Sequence, residues 1–209
     1  HTFTRYGCQA PAYGSIVGSG ANACILHYGE NDRRMQDGDL VLIDAGGELD
    51  HYAADITRTF PVNGRFTSPQ KDLYEVVLAA QLAAIDSVQP GASWQAPHDA
   101  AVRVLTQGLV DHGLLQGSVD GLIESAAFRR FYMHRTGHWL GMDVHDVGDY
   151  QIDGQWRPLS AGMVLTVEPG LYVSPDDETV AAHWRGIGIR IEDDVAVTAQ
   201  GHHVLSAKA

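Results

Sequence analysis

The segment Leu40-Val41-Leu42-Ile43-Asp44-Ala45-Gly46 joins an apolar run to a single carboxylate and then to a turn. Four consecutive apolar residues bounded by turn signals predict a buried strand. Further along, Asp55-Ile56-Thr57-Arg58-Thr59-Phe60 alternates β-branched residues, which favours a second strand that Pro61 ends. We expect these two segments to form an antiparallel pair.

Two amphipathic helices are predicted after this pair. Ser68-Pro69 resembles an N-cap followed by proline at the first helical position, and an apolar stripe runs from Leu73 to Val88 before Pro90-Gly91. A second stripe, ended by Gly113, contains Val102, Leu105, Leu109 and Val110. Both stripes are typical of core-facing helices.

The chain then returns to strands, predicted at residues 163–167, 187–191 and 195–197, whereas residues 174–185 predict an exposed loop. Residues 18–20 (Gly-Ser-Gly) predict a turn after the apolar pair at 16–17. With 209 residues and no linker, the order strands, helices, strands predicts one α+β domain with a mostly antiparallel sheet.

Composition excludes several functions. The 26 acidic and 14 basic side chains give a net charge of -12, which makes nucleic acid a poor partner. No apolar run reaches the roughly 18 residues of a membrane span, and no leader is recognisable, so we expect no membrane partner. Cys8 and Cys24 make no disulfide framework, and free thiols favour a reducing, cytoplasmic compartment.

Carboxylates occupy the ends of the predicted strands. Asp44, Glu168 and Glu192 each follow or end an apolar strand, and Asp55 begins another. A single such acid is most simply a strand-end residue facing water. Four in one small domain favour a metal site, because burying unpaired carboxylates costs several kcal/mol.

Three histidines, His134, His138 and His145, cluster between residues 134 and 146, among the glycines at 137 and 141. One imidazole added to four carboxylates makes a hard donor set without thiolate, which favours Mn²⁺ over structural zinc, with Co²⁺ or Zn²⁺ as other candidates. Four negative charges are balanced by two divalent ions, so the sequence predicts a two-metal site.

These motifs, in order along nearly the whole chain, resemble the pita-bread (creatinase/aminopeptidase-like) dinuclear metallopeptidases, and among them the bacterial aminopeptidase P (Xaa-Pro aminopeptidase) group. The resemblance rests on five segments, residues 42–46, 55–61, 134–146, 166–172 and 188–193. It implies a curved antiparallel sheet covered by helices. The implied activity is hydrolysis of the bond between an N-terminal residue and a following proline, by attack of a metal-bridging hydroxide.

The resemblance also implies a role for each matching residue. Asp44 would chelate one metal, Asp55 and Glu192 would bridge the two, and His138 and Glu168 would complete the second. Glu168 would also act as acid and base, with His145 stabilising the oxyanion and His27 beside the substrate. Three further residues would line the pocket or hold the carboxylates in place: His134, Arg190 and Tyr172.

The same resemblance sets expectations about the rest of the protein. Residues 1–209 would form a catalytic domain that lacks its opening helices and the family's separate N-terminal domain. We therefore expect the missing N-terminal segment to be a partner of this chain. We also expect the protein to form a homo-oligomer. Two alternatives share the fold: a prolidase that cleaves Xaa-Pro dipeptides and a non-catalytic binding module. The presence of all five ligands argues against the module.

Overall fold

A computed structural model describes residues 1–209, which form thirteen strands and four α-helices. The helices are α1 (Thr2–Arg5), α2 (Ser68–Asp86), α3 (Ala96–Asp111) and α4 (Val119–Glu124). The strands are β1 (Ala10–Pro11), β2 (Ile16–Ser19), β3 (Leu40–Asp44), β4 (Gly47–Leu49), β5 (Tyr52–Ala53), β6 (Thr57–Pro61), β7 (Gln151–Ile152), β8 (Gln155–Trp156), β9 (Val164–Val167), β10 (Gly170–Tyr172), β11 (Gly188–Arg190), β12 (Asp193–Thr198) and β13 (Gly201–Val204). Short 3₁₀ helices span Gly20–Cys24, Ala127–Arg130 and Ala182–Trp184. No helix is both long and apolar enough to cross a membrane.

Every strand pairing is antiparallel, which confirms the predicted α+β class. The predicted pair of the opening motif is β3 and β6, in a register that sets Asp44 opposite Thr57. Strand β2 flanks β3 on its other edge, so β3 is central in a three-stranded sheet. A second such sheet has the order β13-β12-β9, and β10 pairs with β11.

Helix α2 packs on strands β9, β10 and β11, α3 packs on α2, and both helices contribute to the main core of 29 buried residues. The start of α2 differs by one residue from the prediction. Thr67 is the N-cap, and its backbone N–H donates to Gln70 Oε1 over 2.9 Å in a capping box, so Ser68 and Pro69 are the first two helical residues. A threonine with glutamine three residues later is the stronger local signal.

Two other local predictions need correction. Gly18 and Ser19 continue strand β2 instead of turning, with Gly18 opposite Leu42. A Cβ at Gly18 would lie 2.9 Å from the Asn22 carbonyl oxygen, so glycine there allows the chain to fold closely over itself. The 174–185 loop is not wholly exposed, because Val180 and Trp184 anchor it in the core.

Candidate metal centre

The ends of several strands converge on one buried point. Asp44 is the last residue of β3, Glu168 directly follows β9, and Glu192 lies between β11 and β12. Asp55 lies just before β6. Asp44, Asp55 and Glu192 are at most 8% exposed, so the sheets bring their carboxylates out of water together.

His138 joins this group from an irregular segment. Its Nε2 lies 3.3 Å from Asp55 Oδ2 and 3.7 Å from Glu168 Oε1. Ligand atoms of Asp55, His138 and Glu192 all lie within 4.8 Å of one another. His138 Nδ1 lies 3.0 Å from the Trp139 carbonyl oxygen, to which it can donate, leaving the Nε2 lone pair directed at the carboxylates.

Neighbouring side chains fix the orientation of the carboxylates. Thr57 donates its hydroxyl to Glu192 Oε2 at 2.6 Å, and Arg190 Nη2 donates to Asp44 Oδ2 at 2.6 Å. The Asp55 backbone N–H donates to Asp194 Oδ2 at 3.2 Å. Glu192 and Asp44 therefore each have an oxygen held by a neighbouring side chain, whereas the contact with Asp194 fixes the backbone of Asp55.

Burial makes this acidic cluster electrostatically costly. It raises the pKa of Asp44, and it raises the pKa of Glu168 to about 7. The pKa of Glu192 lies well above its ordinary value because of burial and then the charges of Glu168 and Asp55. Arg190 is the buried cation among these groups. Four carboxylates and one imidazole therefore fit divalent cations, which would neutralise the crowded charge.

A cavity of about 900 Å³ opens from this centre, near the upper end of the roughly 300–1,000 Å³ of ligand sites. His27, His134 and His145 line it, together with Arg190 and the five candidate ligands. The His145 ring is exposed and lies edge-on to the His138 ring, with 4.3 Å between centroids. His145 is therefore available to a bound molecule.

Tyr172 lies behind the cavity and does not line it. Its hydroxyl lies 2.9 Å from His134 Nε2 and accepts a hydrogen bond from Arg190 Nη1 at 3.1 Å. Its place is therefore that of a support for two lining residues. The structure thus brings together all ten site residues that the sequence predicts, nine of them along the cavity wall.

The sequence reasoning missed Tyr13. Its hydroxyl lies 2.5 Å from Asp44 Oδ1 and 2.6 Å from Asp55 Oδ1, joining the two aspartates. Burial and the two aspartates raise the Tyr13 pKa far above its ordinary value, so the phenol stays protonated and can donate. No periodicity or motif in the sequence marks this tyrosine, because its role depends on contacts across 31 and 42 residues of chain.

A hairpin of β7 and β8 was also missed, although its signal is present. Asp153 and Gly154 form its two-residue turn, both with positive φ, as Asp-Gly does in tight hairpins. The hairpin brings Trp156 to the outer part of the cavity wall. The cavity is therefore bounded by rigid sheet at its base and by this hairpin at its mouth.

An antiparallel fold with carboxylates and a histidine converging beneath an open cavity agrees with the resemblance to the pita-bread metallopeptidases. The chain belongs to metallopeptidase family M24, whose model matches residues 1–199.

Similar proteins agree with this assignment. The chain is 57% identical to the Xaa-Pro aminopeptidase of Haemophilus influenzae and 54% identical to that of Escherichia coli, over 99% of its own length. The structure of the Pseudomonas aeruginosa aminopeptidase PepP superposes with a TM-score of 0.97 at 62% identity, over 98% of this chain and 46% of that one. The chain spans about half the length of these relatives, 48% and 46% of the two curated sequences.

Proposed function

We propose that the protein is an Xaa-Pro aminopeptidase, which releases an N-terminal residue that precedes proline. The convergence of Asp44, Asp55, His138, Glu168 and Glu192 at the base of an open cavity carries the proposal. The names of the similar H. influenzae and E. coli proteins support the proline specificity. The open cavity suits the end of a peptide better than a fully enclosed small molecule.

We assign two divalent ions to this site, most simply Mn²⁺ given its oxygen-rich donors. Asp44 would hold one ion with both oxygens, Asp55 and Glu192 would contact both, and His138 and Glu168 would complete the second. When bound, two such ions activate water as a nucleophile and polarise the attacked carbonyl group. The close approach of His138 Nε2 to Asp55 and Glu168 supports the sharing of one ion.

Glu168 is the proposed acid and base. Its carboxylate lies 3.7 Å from His138 Nε2 at the base of the cavity, where it would accept a proton from the attacking water and donate one to the leaving proline nitrogen. His134 Nδ1 lies 3.7 Å from Glu168 Oε2 and would help to place that carboxylate.

His145 would donate a hydrogen bond to the carbonyl oxygen as negative charge develops on it. Partial burial, followed by the charge of His138, lowers the His145 pKa, so a neutral imidazole would be the donor at neutral pH. His27 lines the same cavity and would contact the substrate. Arg190 would keep Asp44 oriented through its 2.6 Å ion pair.

Two broader proposals accompany the activity. Cys8 and Cys24 are both free thiols, which supports a cytoplasmic site of action. We also propose that the protein works as a homo-oligomer. Light scattering of the purified protein would test this, and a monomer at assay concentration would refute it.

The activity is tested by comparing an Xaa-Pro-Yaa tripeptide with an Xaa-Pro dipeptide, using protein supplied with Mn²⁺. We expect tripeptide cleavage that chelation abolishes and Mn²⁺ restores. Cleavage of the dipeptide alone would establish a prolidase. If protein purified under the assay conditions contains no divalent metal, a binding module would be favoured.

Two variants test the ligand assignment. Asp55→Asn and Glu192→Gln should each abolish turnover while leaving the far-ultraviolet circular dichroism unchanged. Asp120→Asn is the matched control, since Asp120 lies in an exposed ion pair with Arg103. Near-normal activity of either site variant would contradict the assignment.

A further inference from the structure

The cavity extends beyond the histidines to a second wall built by different elements. Trp94 and Tyr150 lie there with ring centroids 4.9 Å apart, and Trp156 joins them from the hairpin. Arg135 lies in the same wall, with its Cζ 5.0 Å from the centre of the Trp156 ring. A cation on an aromatic face is held in place while its outer N–H groups stay free to donate.

Arg135 is the cavity-lining arginine that forms no ion pair with a carboxylate. The lining contains two arginines and no lysine, and the other arginine, Arg190, is buried in its ion pair with Asp44. Arg135 Nη2 instead donates to the neutral amide oxygen of Gln95 at 2.6 Å. Gln95 is itself fixed, because its Nε2 donates to Asp99 Oδ1 at 2.7 Å.

The position of Arg135 relative to the reaction follows from its neighbour. His134 approaches Glu168, which the proposed function makes the donor to the leaving nitrogen. Arg135 is the next residue along the chain and lines the same cavity as His134, so under the proposed function it borders the path of the departing peptide. A proline and one further residue extend about 7 Å from the cleaved bond, which directs the third residue of a substrate toward this wall.

We propose, on the basis of the proposed function, that Arg135, held by Trp156 and Gln95, binds a carboxylate on the third residue of the substrate. That carboxylate is either the C-terminus of a tripeptide or an acidic side chain in a longer peptide. Arg135 is thus a specificity-determining residue that contacts the leaving peptide. Asp149 lies on the same cavity lining and opposes this preference by charge repulsion.

Four peptides test this subsite: Ala-Pro-Ala as free acid and as C-terminal amide, and the amides of Ala-Pro-Glu and Ala-Pro-Gln. With Mn²⁺-supplied protein, we expect kcat/KM to be about fivefold to tenfold higher for the charged member of at least one pair. A preference in the first pair alone identifies the C-terminus, and in the second pair alone the side chain. Equal turnover within both pairs overturns the subsite but leaves the proposed function standing, whereas no turnover of any peptide overturns both.

Variants attribute the preference to the residue. Arg135→Met should bring the ratio within each pair to about one, and Arg135→Lys should retain part of it. Because both members of a pair are measured on one preparation, partial loss of folded protein cancels from the ratio. Arg129→Met removes a nearby exposed charge outside the cavity lining and should keep the wild-type ratio, while Asp149→Asn should increase it. An unchanged ratio in Arg135→Met, or an equal loss in Arg129→Met, would refute the assignment.

Discussion

Replacing Arg190 by methionine should strongly destabilise the metal-free protein. The guanidinium donates to Asp44 Oδ2 at 2.6 Å, to the Tyr172 hydroxyl at 3.1 Å and to Thr57 Oγ1 at 3.2 Å, and the residue is 4% exposed. Methionine fills much of the volume but leaves the Asp44 carboxylate buried without its cation. Breaking a buried ion pair on one side costs about 3–5 kcal/mol.

That cost converts into a measurable shift of the melting temperature. A domain of this size loses about 2–4 °C per kcal/mol, so we expect Arg190→Met to lower Tm by at least about 6 °C in the presence of a chelator. The difference should shrink with Mn²⁺, because a bound divalent ion compensates the same carboxylate charge. Arg190→Lys keeps the charge but not the planar fork, so its Tm should lie between those of Arg190→Met and the unsubstituted protein.

A matched control is available in an exposed ion pair of the same type. Arg103 Nη2 lies 2.9 Å from Asp120 Oδ1, with both side chains more than half exposed, and such a pair contributes about 0.5 kcal/mol. Arg103→Met should therefore lower Tm by about 1–2 °C, with or without metal. Scanning calorimetry of the three variants decides the matter, and an Arg190→Met shift no larger than that of Arg103→Met would refute the reasoning.

Two further substitutions probe the surroundings of the centre. Tyr13→Phe removes the hydroxyl shared by Asp44 and Asp55, so metal affinity measured by calorimetric titration should fall about tenfold to a hundredfold, and unchanged affinity would contradict that support. Gly137→Ala places a Cβ 2.0 Å from the carbonyl oxygen of Thr166, so the backbone before the proposed histidine ligand must move. We expect this variant to lose about 1–3 kcal/mol of stability together with metal content, whereas Gly14→Ala, with no atom within 4 Å of the new Cβ, should behave as wild type.

Much of the fold is predictable because its determinants are local. The apolar run of β3 and the β-branched alternation of β6 need only their own residues to be recognised, and their predicted antiparallel pairing is confirmed. The site residues are also recognisable from the local sequence. Asp44, Glu168 and Glu192 stand out because each interrupts an apolar pattern at the point where a strand ends.

The unpredicted parts depend on contacts between distant segments. Nothing near Tyr13 in the sequence indicates that its hydroxyl reaches two aspartates, and nothing near Val180 indicates that a polar loop is anchored in the core. Arg135 differs again, since it lies within the histidine motif but acquires its environment from Gln95 and Trp156. Such residues become visible only when tertiary structure supplies their partners.

The carboxylates of the site lie at or near strand ends, whereas the outer cavity wall is built by irregular segments and a hairpin. Metal ligands must hold fixed distances, and Asp44, at the end of a strand with partners on both sides, is suited to that because moving it would break the ladder. Substrate recognition tolerates more variation, and Arg135 and Trp156 lie on an irregular segment and a two-residue-turn hairpin. Substitutions at the mouth of the cavity should therefore change which peptide is preferred without disturbing metal binding, whereas substitutions at the strand ends should remove both.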